Sequence, residues 1–314
     1  MEIYLDNAAT SMIDPRVSEA MLSCQDMKAM NASSAHRLGV VAAKAIEKTR
    51  AKIAREINAE PHELIFTSGG TESNNLALKG TAFANKGRGN HIIVSQIEHM
   101  SVMATAQWLE TQGFQVTYLP VDREGFVSPK EVEKAIKRET ILVSITHANN
   151  EVGTIEPIDE IGAICRSKNI FFHSDACQSF TKTKINVKGQ NLDLVSLNAH
   201  KIHGPKGVGA LYVRRSVKME PLLHGGGQEG GVRSGTYNVE GIVGFGKAVE
   251  IAGEVYIKKM TELRDYFIQK IQSGIEKADL NGPRVKRLCN NISLRFRSVN
   301  GQSLTRELSE KGIY

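Results

Sequence analysis

Short apolar runs alternate along this chain with longer stretches in which apolar residues recur every three or four positions. Glu63–Thr67, His91–Ser95, Gln115–Leu119, Thr140–Thr146 and Ile170–Ser174 have the length and content of buried strands. Helical spacing is predicted from Arg37 to about Ile57, where Val41, Ala45, Ile46, Ile53 and Ile57 fall towards one side. It recurs over Asn74–Lys79, Met100–Gln112, Pro129–Lys137 (with Ser128 as N-cap) and Ile158–Ser167. Asp14-Pro15 opens an earlier helix through Val17, Met21 and Leu22, with proline near its first position. Ile3–Thr10 reads as a short strand running into a polar turn. Strands alternating with helices of this length predict an α/β chain whose mostly parallel sheet is covered on both faces. Leu192–Leu197 and Val208–Val213 add two strands around a turn broken by Gly204, Pro205 and Gly207. Val239 to about Ala278 predicts one or two helices, with Tyr256, Met260, Leu263, Phe267, Ile271 and Ile275 as a core-facing stripe. Ile292, Leu294 and Phe296 alternate as in a half-buried strand, and Ser303–Lys311 reads as a serine-capped helix.

In such sheets ligands bind beyond the C-terminal ends of the strands. His99, Asn150, Asp175, Gln178 and Lys201 all fall just past a predicted strand end. A lysine held on a turn between rigid strands can form an imine with a carbonyl compound, although a lone turn lysine is more often a solvated surface group. Glu63–Thr67 runs into Ser68-Gly-Gly-Thr-Glu-Ser73 and then a helix. Strand, glycine turn and helix N-terminus suit an anion, because small residues let the free N–H groups come close. The G-K-[ST] ending of a P-loop is missing, and a plain tight turn explains the pattern equally well. The glycine-rich run His224–Thr236 is costly to order and therefore expected to have a task.

Composition narrows the classes. A length of 314 residues predicts one large domain with a smaller one, or two of similar size. Apolar content of 41% and charged content of 24% are those of a globular protein. The net charge of +6 is spread along the chain with no basic run interleaved with aromatics, so no nucleic-acid partner is indicated. No stretch approaches the roughly 18 apolar residues of a membrane span, and Met1–Asp6 lacks the layout of a secretory signal. Cys24, Cys165, Cys177 and Cys289 are scattered without a C-x-x-C pair. That argues against a disulfide framework or zinc site and for a reduced, cytoplasmic setting.

The ordered motifs together resemble a known family. They are Tyr4-Leu-Asp-Asn-Ala-Ala-Thr10, Thr67-Ser-Gly-Gly-Thr-Glu-Ser73, Glu98-His99, Asn149-Asn-Glu-Val-Gly153, Asp175-Ala-Cys-Gln178, His200-Lys201 with Gly204-Pro-Lys-Gly207, and Gly225-Gly-Gly-Gln228 with Arg233-Ser-Gly-Thr236. This order resembles the cysteine desulfurases of the NifS/IscS type, fold-type I enzymes of the class V aminotransferase group that depend on pyridoxal phosphate. The likeness runs from Ile3 to Tyr314.

The resemblance implies roles. Lys201 would carry the cofactor and move protons, and Asp175 would pair with its pyridinium nitrogen so that the ring acts as an electron sink. His99 would stack on the ring and serve as an acid/base group. Gln178 would bond the ring's phenolic oxygen, and Asn150 would contact cofactor or substrate. Gly70, Thr71 and His200 would hold the phosphate. Asn198 stands where the family often has a phosphate-binding serine, and Gly230 where an arginine is common. Thr236 would reach the phosphate of a neighbouring subunit, which implies a homodimer. L-cysteine would be converted to L-alanine, with sulfur passed to an acceptor or scaffold protein for iron–sulfur cluster or thiocofactor assembly. The implied organisation is an N-terminal segment 1–14 packing with the small domain, a large cofactor-binding domain 15–255, and a small α+β domain 256–314.

The family's loop cysteine, which takes up the substrate sulfur, and its carboxylate-binding arginine correspond to positions beyond Tyr314. The small domain is therefore expected to be incomplete and the chain less stable than one extended through that segment. Cys177 is the nearest thiol to the motifs, but a small buried residue after a strand is the expected reading. The alternatives to a desulfurase are an inactive cofactor-binding homologue or partner subunit, and another class V enzyme such as a transaminase or selenocysteine lyase.

Overall fold

The computed structural model describes residues 2–25 and 31–314; Met1, in the expected segment 1–14, and residues 26–30, in the expected domain 15–255, lie outside it. The strands in chain order are β1 (Leu64–Thr67), β2 (His91–Ser95), β3 (Gln115–Leu119), β4 (Thr140–Ser144), β5 (Phe171–Asp175), β6 (Leu194–Asn198) and β7 (Gly209–Val213), followed by β8 (Ala278–Leu280) and β9 (Leu294–Phe296). The helices are α1 (Pro15–Gln25), α2 (Arg37–Glu56), α3 (Gly70–Asn75), α4 (Thr81–Ala84), α5 (Met100–Thr111), α6 (Pro129–Ala135), α7 (Ile158–Ser167), α8 (Val239–Ile251), α9 (Glu254–Gly274) and α10 (Gly301–Glu310). A π-turn, Leu76–Gly80, joins α3 to α4 without a break.

Among the described residues, β1 to β7 form a seven-stranded sheet in the order β1-β7-β6-β5-β4-β2-β3. Strands β2 to β6 are mutually parallel; β7 runs antiparallel to both β6 and β1. Six strands thus share one direction, and their C-terminal ends share one edge. Side chains alternate between two cores. Leu64, Phe66, Ile93, Val195 and Leu197 belong to one; Ile65, Ile92, Val94, Leu194 and Leu211 belong to the other. Each such side chain contributes roughly 1.5–3 kcal/mol on burial, which is why strands buried on both faces read as continuous apolar runs. On the first face Phe180 and Phe245 meet edge-on at 6.0 Å. Buried His173 ties three strands together through Ser144 Oγ at 2.8 Å and Ser196 Oγ at 3.0 Å.

Several local expectations are corrected. Ile3–Leu5 forms no strand; Ile3 makes an isolated bridge to Ile313 and exchanges backbone bonds with Gly312 and Tyr314. Helix α3 begins at Gly70, not Asn74, because the glycine turn is itself the first helical turn. Ser128 is the N-cap residue of α6, as expected, but its side chain makes no capping bond. Asn300, rather than Ser303, caps α10, its side chain accepting from the Ser303 N–H at 3.1 Å. Of the apolar stripe from Tyr256 to Ile275, Tyr256, Leu263, Phe267 and Ile275 are 51%, 53%, 40% and 43% exposed among the described residues. The buried line runs through Arg264 and Ile268. The Arg264 guanidinium is drawn inward because it donates to the Arg287 and Leu288 carbonyls at 3.1 and 3.0 Å. A charged residue thus sits at the centre of the face of α9 that packs within this chain.

Candidate functional site

The shared strand edge carries a cavity of about 250 Å³ lined by Gly70, Thr71, His99, Asn150, Asp175, Gln178, Asn198, His200 and Lys201. These are nine of the ten residues singled out from the sequence. Each comes from the end of a strand of the sheet: β1 delivers Gly70 and Thr71, β2 delivers His99, β4 Asn150, β5 Asp175 and Gln178, β6 Asn198 to Lys201. Thr236 does not line this cavity; it is exposed on the glycine-rich loop.

Lys201 sits on the turn between β6 and β7. Asn198 Oδ1 accepts from the Lys201 N–H at 3.3 Å, and Ala199 accepts from the Ile202 and Gly204 N–H groups, which winds the turn tightly. An added Cβ at Gly204 would lie 2.8 Å from the Ala199 side chain, so only glycine fits the winding. Burial lowers the Lys201 ammonium from its ordinary value, opposed by the nearby Cys177 and Asp175. Residues 8–14 lie across this turn. The Ala8 carbonyl accepts from Lys201 Nζ and, at 2.9 Å, from Gln178 Nε2. Ser11 bonds the His200 carbonyl and the His203 N–H.

Asp175 is 6% exposed. Its Oδ1 accepts from the Cys177 N–H at 2.9 Å and its Oδ2 from Asn74 Nδ2 at 2.7 Å. His99 is the N-cap of α5, its Nδ1 facing Ser101 Oγ at 2.7 Å and the Ser101 N–H at 3.1 Å. Behind the site Glu98 is pushed up to about 8 by burial, against bonds from Ser95 Oγ at 2.5 Å and the Thr146 N–H at 2.7 Å. Asn150 is turned to Glu151, its Nδ2 donating at 2.7 Å.

The anion end is built from α3 and the His200 region. Helix α3 presents its N-terminus to the cavity, where first-turn N–H groups lack intrahelical partners. An added Cβ at Gly70 would lie 2.5 Å from Cys177 Sγ, and one at Gly209 would lie 2.7 Å from Gly69, so backbones and the thiol pack closely here. The His200 imidazole is pushed down to about 4 by burial and by the charges of Lys201, Lys206 and Lys182. Three lysines disfavouring a cation is the field that welcomes an anion.

Sequence reasoning missed Asn74, Ser101, Thr146 and the Ala8–Ala9 backbone. The signal for the first two is a polar residue on a buried helix face: Asn74 is 1% and Ser101 8% exposed. All four cysteines are buried. Cys177 is 8% exposed, and burial and the Asp175 charge push its thiol up, the opposite of an activated nucleophile. Among the described residues, no group of three His, Cys, Asp or Glu side chains is placed to hold a metal ion. No described helix is long and apolar enough to cross a membrane.

The chain is similar to known proteins along nearly its whole length. The aminotransferase class-V family matches residues 3–314. Cysteine desulfurase IscS of Dictyoglomus turgidum is 50% identical over 315 residues, covering 99% of this chain and 80% of that protein. Cysteine desulfurase IscS of Methanosarcina thermophila is 50% identical, covering 99% and 78%. Among solved structures, a NifS-like protein superposes with a TM-score of 0.95 at 41% identity, covering 100% of this chain and 87% of that one. SspA in complex with cysteine superposes with a TM-score of 0.89 at 40% identity, covering 100% and 88%.

Proposed function

This chain belongs to the aminotransferase class-V family, with the α/β fold of the fold-type I pyridoxal phosphate enzymes, and from that premise we propose that it is a cysteine desulfurase acting on L-cysteine at the Lys201 cavity. Pyridoxal phosphate is the cofactor. The observation that carries the reading is the meeting, in one small cavity, of a buried lysine, a buried carboxylate and a helix N-terminus beside a lysine-rich field. These donors fit the group: an amine for its aldehyde, an acceptor for its ring N–H and an electropositive cradle for its phosphate. The unpartnered Asn74 Oδ1 leaves polar capacity beside the same carboxylate.

Bound there, the cofactor supplies an electrophilic carbon and a ring that takes up an electron pair from the substrate. Lys201 holds it and, with its ammonium destabilised by burial, has an amine ready to take the substrate's α-proton. Asp175 would keep a proton on the ring nitrogen. Gln178 and Asn150 orient the ring's polar edge and the substrate. Gly70, Thr71, Asn198 and His200 bind the phosphate. His99, on the cavity wall, would stand beside the ring and substrate. Thr236, exposed and outside its own cavity, serves the cavity of a second copy in a homodimer.

In sulfur transfer a thiolate attacks the substrate sulfur. The S–S bond forms, the C–S bond breaks, and the electron pair returns to Cβ, which is protonated to give L-alanine. That thiolate comes from outside the four buried cysteines. The sulfur then passes to an acceptor for iron–sulfur or thiocofactor assembly in the cytoplasm. We further read 1–14 as a segment joining the small domain and 15–255 and 256–314 as the large and small domains. The burial of every thiol favours a second reading, a cofactor-binding subunit without its own turnover. The test is to incubate the loaded chain with L-cysteine and a thiol reductant and quantify alanine. Alanine above a Lys201→Ala control supports the desulfurase; bound cofactor without alanine supports the second reading.

A further inference from the structure

A single line of hydrogen bonds joins Asp175 to His99, and its direction is fixed from one end. Asp175 accepts at both carboxylate oxygens, from the Cys177 N–H and from Asn74 Nδ2. Asn74 must therefore turn its amide nitrogen towards Asp175, since a flip would set a carbonyl oxygen against the carboxylate. That orientation leaves Asn74 Oδ1 buried with no hydrogen-bond partner among the described residues, a cost accepted for the bond to Asp175. The second N–H of the same nitrogen donates to Ser101 Oγ at 2.8 Å. Asn74 Nδ2 can only donate, so among the described residues the one O–H of Ser101 has His99 Nδ1, at 2.7 Å, as its acceptor within reach. The Ser101 backbone N–H points at the same ring nitrogen at 3.1 Å. Two donors converging on Nδ1 exclude a proton from it.

We propose that the relay Asp175–Asn74–Ser101–His99 holds the proton of the neutral His99 ring on Nε2, making Asn74 and Ser101 positioning residues for the imidazole that faces the cavity. The consequence rests on the desulfurase reading. At its free edge His99 donates a hydrogen bond to substrate or cofactor and is not a base there, so the α-proton falls to Lys201. The same carboxylate that would pair with the cofactor's ring nitrogen thereby also sets the imidazole across the cavity, through two side chains of the cavity wall.

The test is side-chain ¹⁵N NMR of the loaded 314-residue chain at a pH where the ring is neutral, with the His99 signals identified by their loss in His99→Gln. The expected spectrum has an unprotonated Nδ1 and a protonated Nε2. Ser101→Ala and Asn74→Ala are each expected to mix the two tautomers, and Ser101→Thr to restore the single one. In turnover Ser101→Ala should lower kcat by roughly 10–10²-fold, at or below the low end of what an acid–base group contributes, with KM for cysteine little changed. A wild-type ring protonated on Nδ1 would overturn the proposal. So would a pure Nε2–H ring in both alanine variants, which would assign the tautomer to the backbone N–H alone. Every member of the relay is protein, so the cofactor-free chain should show the same tautomer. Should the chain make no alanine, this spectrum still decides the relay separately.

Discussion

Gly70→Ala should damage the site, and Cys177→Ala should repair that damage. The added methyl would stand 2.5 Å from Cys177 Sγ, about 1–1.5 Å inside the ~3.5–4.0 Å of comfortable contact. The thiol is buried and packed on the Ser196 carbonyl at 3.7 Å, so it has little room to turn away. Overpacking of this kind costs roughly 1–3 kcal/mol. Helix propensity returns at most about 1 kcal/mol, because Gly70 opens α3 at an ordinary backbone angle. The Cys177→Ala change removes the clashing atom and leaves Cys177 Cβ at 3.7 Å and Asn198 Nδ2 at 3.5 Å, both ordinary contacts. The double variant should therefore lie within about 1 kcal/mol of the parent, a coupling of about 1–3 kcal/mol between the two sites. Thermal melts read the stability, at roughly 2–4 °C per kcal/mol for a chain of this size class. Titration with pyridoxal phosphate reads the site, where the single variant should bind about 5–150-fold more weakly. A double variant no better than Gly70→Ala alone would refute the steric argument.

Other consequences are equally open to measurement. The Arg50 guanidinium holds Glu229 through two bonds of 2.7 Å, with side chains 8% and 2% exposed, so Glu229→Ala should cost about 3–5 kcal/mol by melting and free the glycine-rich loop. Glu98 is raised by burial from 4.5 to about 8, so it stays protonated in the native chain while the unfolded chain ionises. Its stabilisation is complete below about pH 4.5 and lost as pH rises to about 8. Glu98→Gln should therefore gain Tm relative to the parent across that window, as scanning calorimetry at several pH values would show. Bound phosphate should raise the His200 imidazole from about 4, by opposing the three lysines around it, as an NMR titration would show.

Much of the site was legible because strand ends carry it. An apolar run followed by a polar residue is a visible boundary, and parallel strands bring those boundaries to one edge, so Asp175, Gln178 and Lys201 meet without any contact being known. Strand direction was less legible: β1 and β7 read like the others, yet β7 runs against them, since periodicity carries no sign. Asn74 and Ser101 escaped because they lie in helices and act across 101 and 27 residues of chain, a pairing that only the packed structure displays. The buried face of α9 escaped because Arg264, at its centre, is charged and finds its partners in two backbone carbonyls.

The central claim is that Lys201, and no other lysine, carries the cofactor in this cavity. Loading the chain with pyridoxal phosphate, reducing with borohydride and mapping the peptides by mass tests it directly. The account predicts the added mass on the peptide bearing Lys201, with Lys182 and Lys206 unmodified; a label on either of those lysines, or none on Lys201, would contradict it.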